Sequence, residues 1–267
     1  MKRDSRIGAW LAIAFGTLYF LVPLAATFLF SLKMRRDALS FDAYRVVLTD
    51  PQFQATFGYS ALMACLTIVS GMLLVAPTAW WIHLKLPRMK GVIEFITLLP
   101  LVIPAIVIVF GYLHLFNSSS FLPLTASERS TDLLLVASYV TLSLPYLYRS
   151  IDTGLRAVDV RGLTEAAQSL GAGWAGILFK VILPNIRSAL LSGAFLTFAV
   201  VIGEFTMASL LNRPAFGPYL QLMGANRAYE PSALAIIAFL VTWGSMGLIN
   251  VFARNRGGIR CPGSQSS

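Results

Sequence analysis

The sequence predicts an all-α integral membrane protein with six transmembrane helices, and three observations carry that prediction. Of the 267 residues, 57% are apolar and only 12% are charged, with a mean hydropathy of +0.72. A water-soluble domain carries about twice that charged fraction. The apolar residues are gathered into long runs, as helices that cross a hydrocarbon core of about 20 residues require. Within those runs the one acidic or basic residue is Glu204. A water-soluble enzyme is excluded on these grounds.

Six runs qualify in chain order: Gly8–Leu32, Thr56–Ile82, Phe95–Phe116, Leu133–Tyr148, Ser188–Asn212 and Pro231–Ala253. The first comes after a basic start, Met1-Lys-Arg-Asp-Ser-Arg, and so mimics a signal peptide. Its apolar stretch is about 25 residues against 7–15 for a signal peptide, which predicts an uncleaved first span. The fourth run has 16 residues, and Arg149 extends it by snorkelling. Pro23, Pro77, Pro100, Pro104 and Pro145 interrupt the runs. Each removes a backbone donor, which fits either packing kinks or a shaped central cavity.

Six spans put both termini on one side. On the cytoplasmic side would then lie Lys2, Arg3, Arg6, Lys85, Arg88, Lys90, Arg149, Arg156, Arg161, Lys180, Arg187, Arg254, Arg256 and Arg260. The outer side would hold Lys33, Arg35, Arg36, Arg45, Arg129, Arg213 and Arg227. This two-to-one bias predicts cytoplasmic termini and accounts for the net charge of +9 without nucleic acid. The chain then divides into an N-terminal helix and external loop (1–55), a core membrane domain (56–253) containing a cytoplasmic loop (149–187), and a tail (254–267). Cys65 and Cys261 form neither a disulfide framework nor a metal-ligand spacing.

The loop between the fourth and fifth runs is too long to be structureless. Asp159 is placed to cap a helix over Val160–Leu170, with Leu163, Ala166, Ala167 and Leu170 as an apolar stripe. Gly171 ends it where a left-handed residue is wanted. A second apolar stretch, Trp174–Leu183, offers Trp174 and Phe179 to an interface and Lys180 to lipid headgroups, and Pro184 turns the chain into the fifth run. The alanines suit close approach of a partner, whereas the same pattern also suits a helix lying on the bilayer.

Glu165-Ala166-Ala167, then Gly171, Val181 and Leu183-Pro184, resembles the EAA loop of binding-protein-dependent ABC importer permeases, with Val181 where the family more often has Ile. Leu99-Pro100, Ile103-Pro104-Ala105 and Gly203-Glu204-Phe205 are similar to family patterns too. The resemblance implies a type I ABC importer permease fold in a bacterial inner membrane. It also implies an assembly with two ATPase subunits that bind ATP and Mg, a second permease subunit and an external substrate-binding protein. The second permease is expected to be a non-identical relative. This chain has no phosphate-cradling G-x-x-x-x-G-K-[ST] run of its own and no catalytic set. In such an assembly Glu165, Ala166, Ala167, Gly171, Leu183 and Pro184 couple the permease to the ATPase.

Glu204 is placed either as a cation contact in the substrate path or as a structural residue bonded to a neighbouring helix. Tyr139, Tyr146, Tyr148 and Trp243 offer aromatic faces to an organic cation, or simply pack. The chain looks most like the spermidine/putrescine-type branch, which implies a polyamine substrate; ferric iron, phosphonate and anion branches stay open. An ion-coupled secondary transporter using Glu204 is the competing class. His83 and His114 lack partners at ligand spacing and read as interfacial polar residues, and Ser60 lacks the closing glycine of a nucleophile elbow.

Overall fold

The computed structural model describes residues 4–35, 38–117 and 119–255. Lys2, Arg3, Arg36, Arg256 and Arg260 from the charge count, Cys261, and most of the tail lie outside the described residues. The described residues are helical almost throughout: α1 (Asp4–Ser31), α2 (Asp42–Thr49), α3 (Pro51–Lys85), α4 (Lys90–Val102), α5 (Ala105–Leu115), α6 (Glu128–Arg156) and α7 (Val160–Ser169). Next come α8 (Trp174–Gly176), a π-helical turn over Ile177–Ile182, α9 (Leu183–Asn185), α10 (Arg187–Ile202), α11 (Thr206–Leu210), α12 (Phe216–Asn226) and α13 (Glu230–Asn255).

Three helices are long and apolar enough to cross a membrane by themselves: Gly8–Ser31, Pro51–Lys85 and Glu230–Gly247. Two bent pairs raise the number to five, Pro87–Val102 with Ala105–Leu115 and Trp174–Asn185 with Arg187–Ile202. The third run, Phe95–Phe116, expected to be interrupted at Pro100 and Pro104, is divided between two helices meeting at 98°. The cause is local. Ile103 precedes Pro104, and the proline ring excludes the helical region for the residue before it; Ile103 is accordingly extended at ψ 120°. The fifth run is also broken, since α10 stops at Ile202 and α11 starts at Thr206. Helix α6 exceeds the expected 16-residue run by reaching 29 residues. A capping box starts it: Ser127 accepts from the Ser130 N–H, and Ser130 Oγ accepts from the Ser127 N–H in return.

The chain divides into two compact units. In the unit formed by Met1–Thr56 and Tyr219–Leu240, α2 buries Ala43 and Val47, and the Ser31 hydroxyl meets the Tyr44 phenol at 2.7 Å. Asp50 accepts from the Tyr219 phenol at 2.7 Å and from the Gln52 N–H at 2.8 Å. The phenol bond, then the backbone bond, hold its carboxyl below the ordinary carboxylate value.

The second unit, Phe57–Pro218 with Val241–Ser267, has two buried clusters. One joins Ala79 and Ile82 of α3 to Leu147, Ile151 and Leu155 of α6 and to Ile177 and Ile182 of the π turn. The other joins Ala64 and Val109 to Leu134, Leu135 and Tyr139 of α6 and to Met207 and Ala208 of α11. Helix α6 thus runs through both, and it packs most extensively on α10 and then α4.

Candidate functional site

The long loop folds largely as its residues dictate. Asp159 caps α7 by accepting from the Gly162 N–H at 3.0 Å, and Gly171 adopts φ +79°. With Gly171 in that conformation, its N–H reaches Gln168 O at 2.9 Å and the Ala172 N–H reaches Ala167 O at 3.0 Å, which closes the helix end. The buried face differs from the expected stripe. Val160, Thr164 and Ala167 are buried and Leu163 is half-buried, whereas Glu165, Ala166 and Gln168 are exposed and Leu170 is 89% exposed. The two alanines therefore part company: Ala167 anchors α7 to the protein, and Ala166 stands with Glu165 on the free face.

Trp174 packs on the end of α3. Its ring lies 5.7 Å from that of Trp80 and 5.3 Å from that of Trp81, with Lys85 Nζ 5.9 Å above it. The loop is thus clamped to the end of α3. Leu183 packs against the same buried cluster, Pro184 is exposed beside it, and the chain turns by 80° before α10. A cleft of about 320 Å³ opens between α3 and α7, with Lys85, Arg161, Thr164, Glu165 and Gln168 on its walls.

Behind this loop lies a charged hub. Asp152, near the end of α6, has a side chain 7% exposed. His83 Nε2 is 2.8 Å from one carboxylate oxygen and Lys90 Nζ 2.9 Å from the same oxygen, while Arg156 donates to the other at 2.7 Å. Burial pushes the Asp152 carboxyl up, but the hydrogen bonds from Lys90, His83 and Arg156 outweigh it and hold the group below its ordinary value. His83, expected to be an isolated interfacial residue, is therefore corrected to a member of this hub.

At the other end of α6, Asp132 is paired with Arg213 at 2.7 Å and accepts from the Tyr59 phenol. Nearby, Glu204 sits in the break between α10 and α11. Its carboxylate accepts from the Met207 N–H at 2.8 Å and from the Ala208 N–H at 3.3 Å, and Tyr139 interacts with it from α6. Of the two placements open for Glu204, the structural one matches this geometry: the side chain caps the interrupted helix. Gly217 is required here, because a Cβ at that position would stand 2.2 Å from Glu204 O. Ser60 is structural too; its hydroxyl accepts from the Phe216 N–H at 2.8 Å.

The four aromatic candidates scatter. Tyr139 and Tyr148 are buried, Trp243 is 67% exposed on α13, and Tyr146 lines a cavity. That cavity, of about 730 Å³, lies between α4, α6 and the start of α10, with Arg149, Ser150, Asn185, Ser188 and Ser192 on its wall. Among the described residues no group of three or more His, Cys, Asp or Glu is placed to hold a metal ion. Sequence reasoning missed the Asp152 hub and the Tyr59–Asp132–Arg213 cluster. Their members are far apart in the chain, and the available signal was limited to a charged residue just outside an apolar run.

Residues 76–254 match the family model described as "Binding-protein-dependent transport system inner membrane component". The chain is similar to the molybdenum transport system permease protein of Azotobacter vinelandii, with 31% identity over 161 residues, 56% of this chain and 68% of the relative. It is also similar to the putrescine transport system permease protein of Escherichia coli, with 25% identity over 214 residues, 79% of this chain and 74% of the relative. Its fold is similar to that of a bacterial ABC transporter involved in the import of the acidic polysaccharide alginate. There the TM-score is 0.71 and the identity 17%, across 96% of this chain and 97% of that one.

Proposed function

This chain belongs to the family of binding-protein-dependent transport system inner membrane components and is a permease subunit of such an ABC importer; from that premise we propose how it is driven. Two separate ATPase subunits bind ATP and Mg, and α7 docks on one of them. A second six-span permease, a relative of this chain, completes the membrane path, and an external binding protein delivers a small solute. Six crossings with both termini in the cytoplasm put α7 on the ATPase side. Closure of the ATPase pair moves the two permeases against each other and switches which side the path faces.

The observation that carries this reading is the free face of α7. Leu170 is 89% exposed beside exposed Glu165 and Ala166, on a helix whose other face is held by Thr164, Ala167 and the Trp174 clamp. An apolar residue at the end of a rigidly held helix suits a partner groove, with Glu165 as the polar contact and Gly171 as the sharp exit. The Glu165→Lys and Gly171→Asp variants are expected to insert normally and lose ATP-driven uptake. Normal uptake in membranes by both would overturn the coupling role. Purification of the chain from its native membrane in mild detergent, with mass spectrometry of the proteins that accompany it, tests the assembly directly.

The ion-coupled alternative needs a free carboxylate in the path, and both oxygens of Glu204 are engaged by backbone N–H groups of α11. For the solute, the putrescine relative supports a polyamine and the molybdenum relative an oxyanion.

A further inference from the structure

We propose that the 730 Å³ cavity between α4, α6 and α10 is an anion-selecting stretch of the solute route, built for a small oxyanion, with Arg149 as its cation and serine hydroxyls as its donors. This rests on the permease reading above and assigns the class of solute that the path accepts.

Arg149 is the charged residue on the wall, and among the described residues it makes no ion pair. The carboxylates on neighbouring elements are committed elsewhere. Asp152, one turn further along α6, is held by His83, Lys90 and Arg156 on its buried side. Glu94 of α4 is not on the wall, and its charge acts on Arg156. Asp159 caps α7. Lys90 and Arg156 are balanced by Asp152 and Glu94, so the net positive charge facing the cavity is that of Arg149.

The uncharged part of the wall agrees. Thr153 and Asn185 donate to backbone carbonyls, at 2.7 and 2.8 Å, and so offer little to a passing solute. The hydroxyls of Tyr146, Ser150, Ser188 and Ser192 make no hydrogen bond within the chain among the described residues and can turn their protons inward. A guanidinium with several rotatable hydroxyl donors is the complement of an oxyanion. An organic cation would meet no carboxylate there and a single aromatic ring, Tyr146, instead of a cage. The volume exceeds that of a tetrahedral oxyanion severalfold, so selection is by field and hydrogen bonding on a hydrated ion, not by tight fit.

The same chemistry would hold the phosphate of a lipid headgroup, and the test separates the two sources. The complex that co-purifies with the full chain is prepared with Cys65 and Cys261 replaced by Ser and with Ser192→Cys, in nanodiscs of zwitterionic phosphatidylcholine. The new thiol is labelled with a sulfonate-bearing and a trimethylammonium-bearing methanethiosulfonate of similar size, each rate normalised to free cysteine. We expect the sulfonate reagent to be favoured by about tenfold, as one uncompensated charge at close range provides. The preference should fall towards one in Arg149→Gln and return in Arg149→Lys, and 100 mM sulfate should slow the labelling. No labelling by either reagent, a preference at or below one, or a preference indifferent to Arg149→Gln would overturn the proposal. So would indifference to sulfate, or slowing only when phosphatidylglycerol is added, which would make the cavity a headgroup site. Absence of an ATPase from the purified complex would instead sink the permease reading, and the labelling ratio would still be readable.

Discussion

Asp132 and Asp152 lie on one helix, α6, separated by about 30 Å at 1.5 Å per residue, and they hold the protein in different ways. Asp152 gathers three basic side chains: His83 from α3, Lys90 from the start of α4, and Arg156 from its own helix, around a side chain 7% exposed. Asp132, with a side chain 27% exposed, has one cation, Arg213, and one phenol, Tyr59. The first is a crossroads of three helices beneath the loop that carries α7, and the second is a clasp between the start of α6, α3 and the segment after α11. A buried carboxylate becomes a structural organiser when several elements depend on it at once, because removing it strands every partner.

The sharpest test of that contrast is Asp152→Ala. It leaves Lys90 and Arg156 without their counter-charge and is expected to cost about 3–5 kcal/mol, read as a fall in thermal stability in detergent. Next, Gly217→Ala forces a Cβ against Glu204 O and is expected to cost about 2–3 kcal/mol by the same assay. A small effect there would mean that the break at Glu204 is soft. Asp132→Ala removes a more exposed pair and should cost about 1–2 kcal/mol; a loss equal to that of Asp152→Ala would abolish the distinction between the two ends. Trp174→Ala should cost about 1 kcal/mol through its ring contacts, yet reduce uptake more than that loss predicts, because it loosens the clamp on α7.

Acid provides a finer test. The folded Asp152 carboxyl is held below the 3.8 of an unperturbed group. Its contribution is therefore complete above about pH 4 and is lost as pH falls through the lower, folded value. Wild-type and Asp152→Asn proteins should converge in thermal stability below that range and differ above it. Convergence already at pH 6 would contradict the assigned direction.

The local features of the loop were legible in the sequence. Asp159 as cap, the helix from Val160 and the left-handed Gly171 each depend on a few neighbouring residues, and the structure shows all three. The orientation of α7 was not legible, because Val160, Thr164 and Ala167 face inward only through the position of α3 and the π turn. Hydropathy likewise located the apolar runs but not their breaks. A hydropathy average passes over Ile103, a single residue in the extended conformation, and over the short break between Ile202 and Thr206. The hub escaped for a different reason. His83 and Asp152 are 69 residues apart, and no periodicity within either helix announces the other.

The π-helical turn over Ile177–Ile182 has a consequence for tolerance to insertion and deletion. A π turn carries one residue more than an α turn, so the segment between Trp174 and Pro184 is a phase-setting insert. Deleting one residue within it would let the wide turn relax to an ordinary α turn with its two ends still in phase, so Trp174 would keep its place against Trp80 and Trp81 and Ile182 its place in the buried cluster. Inserting one would find no slack left and would rotate the Trp174 end by about 100° relative to the Pro184 end. The loop should therefore bear shortening by one residue far better than lengthening by one. The wide turn is where its spare length is stored.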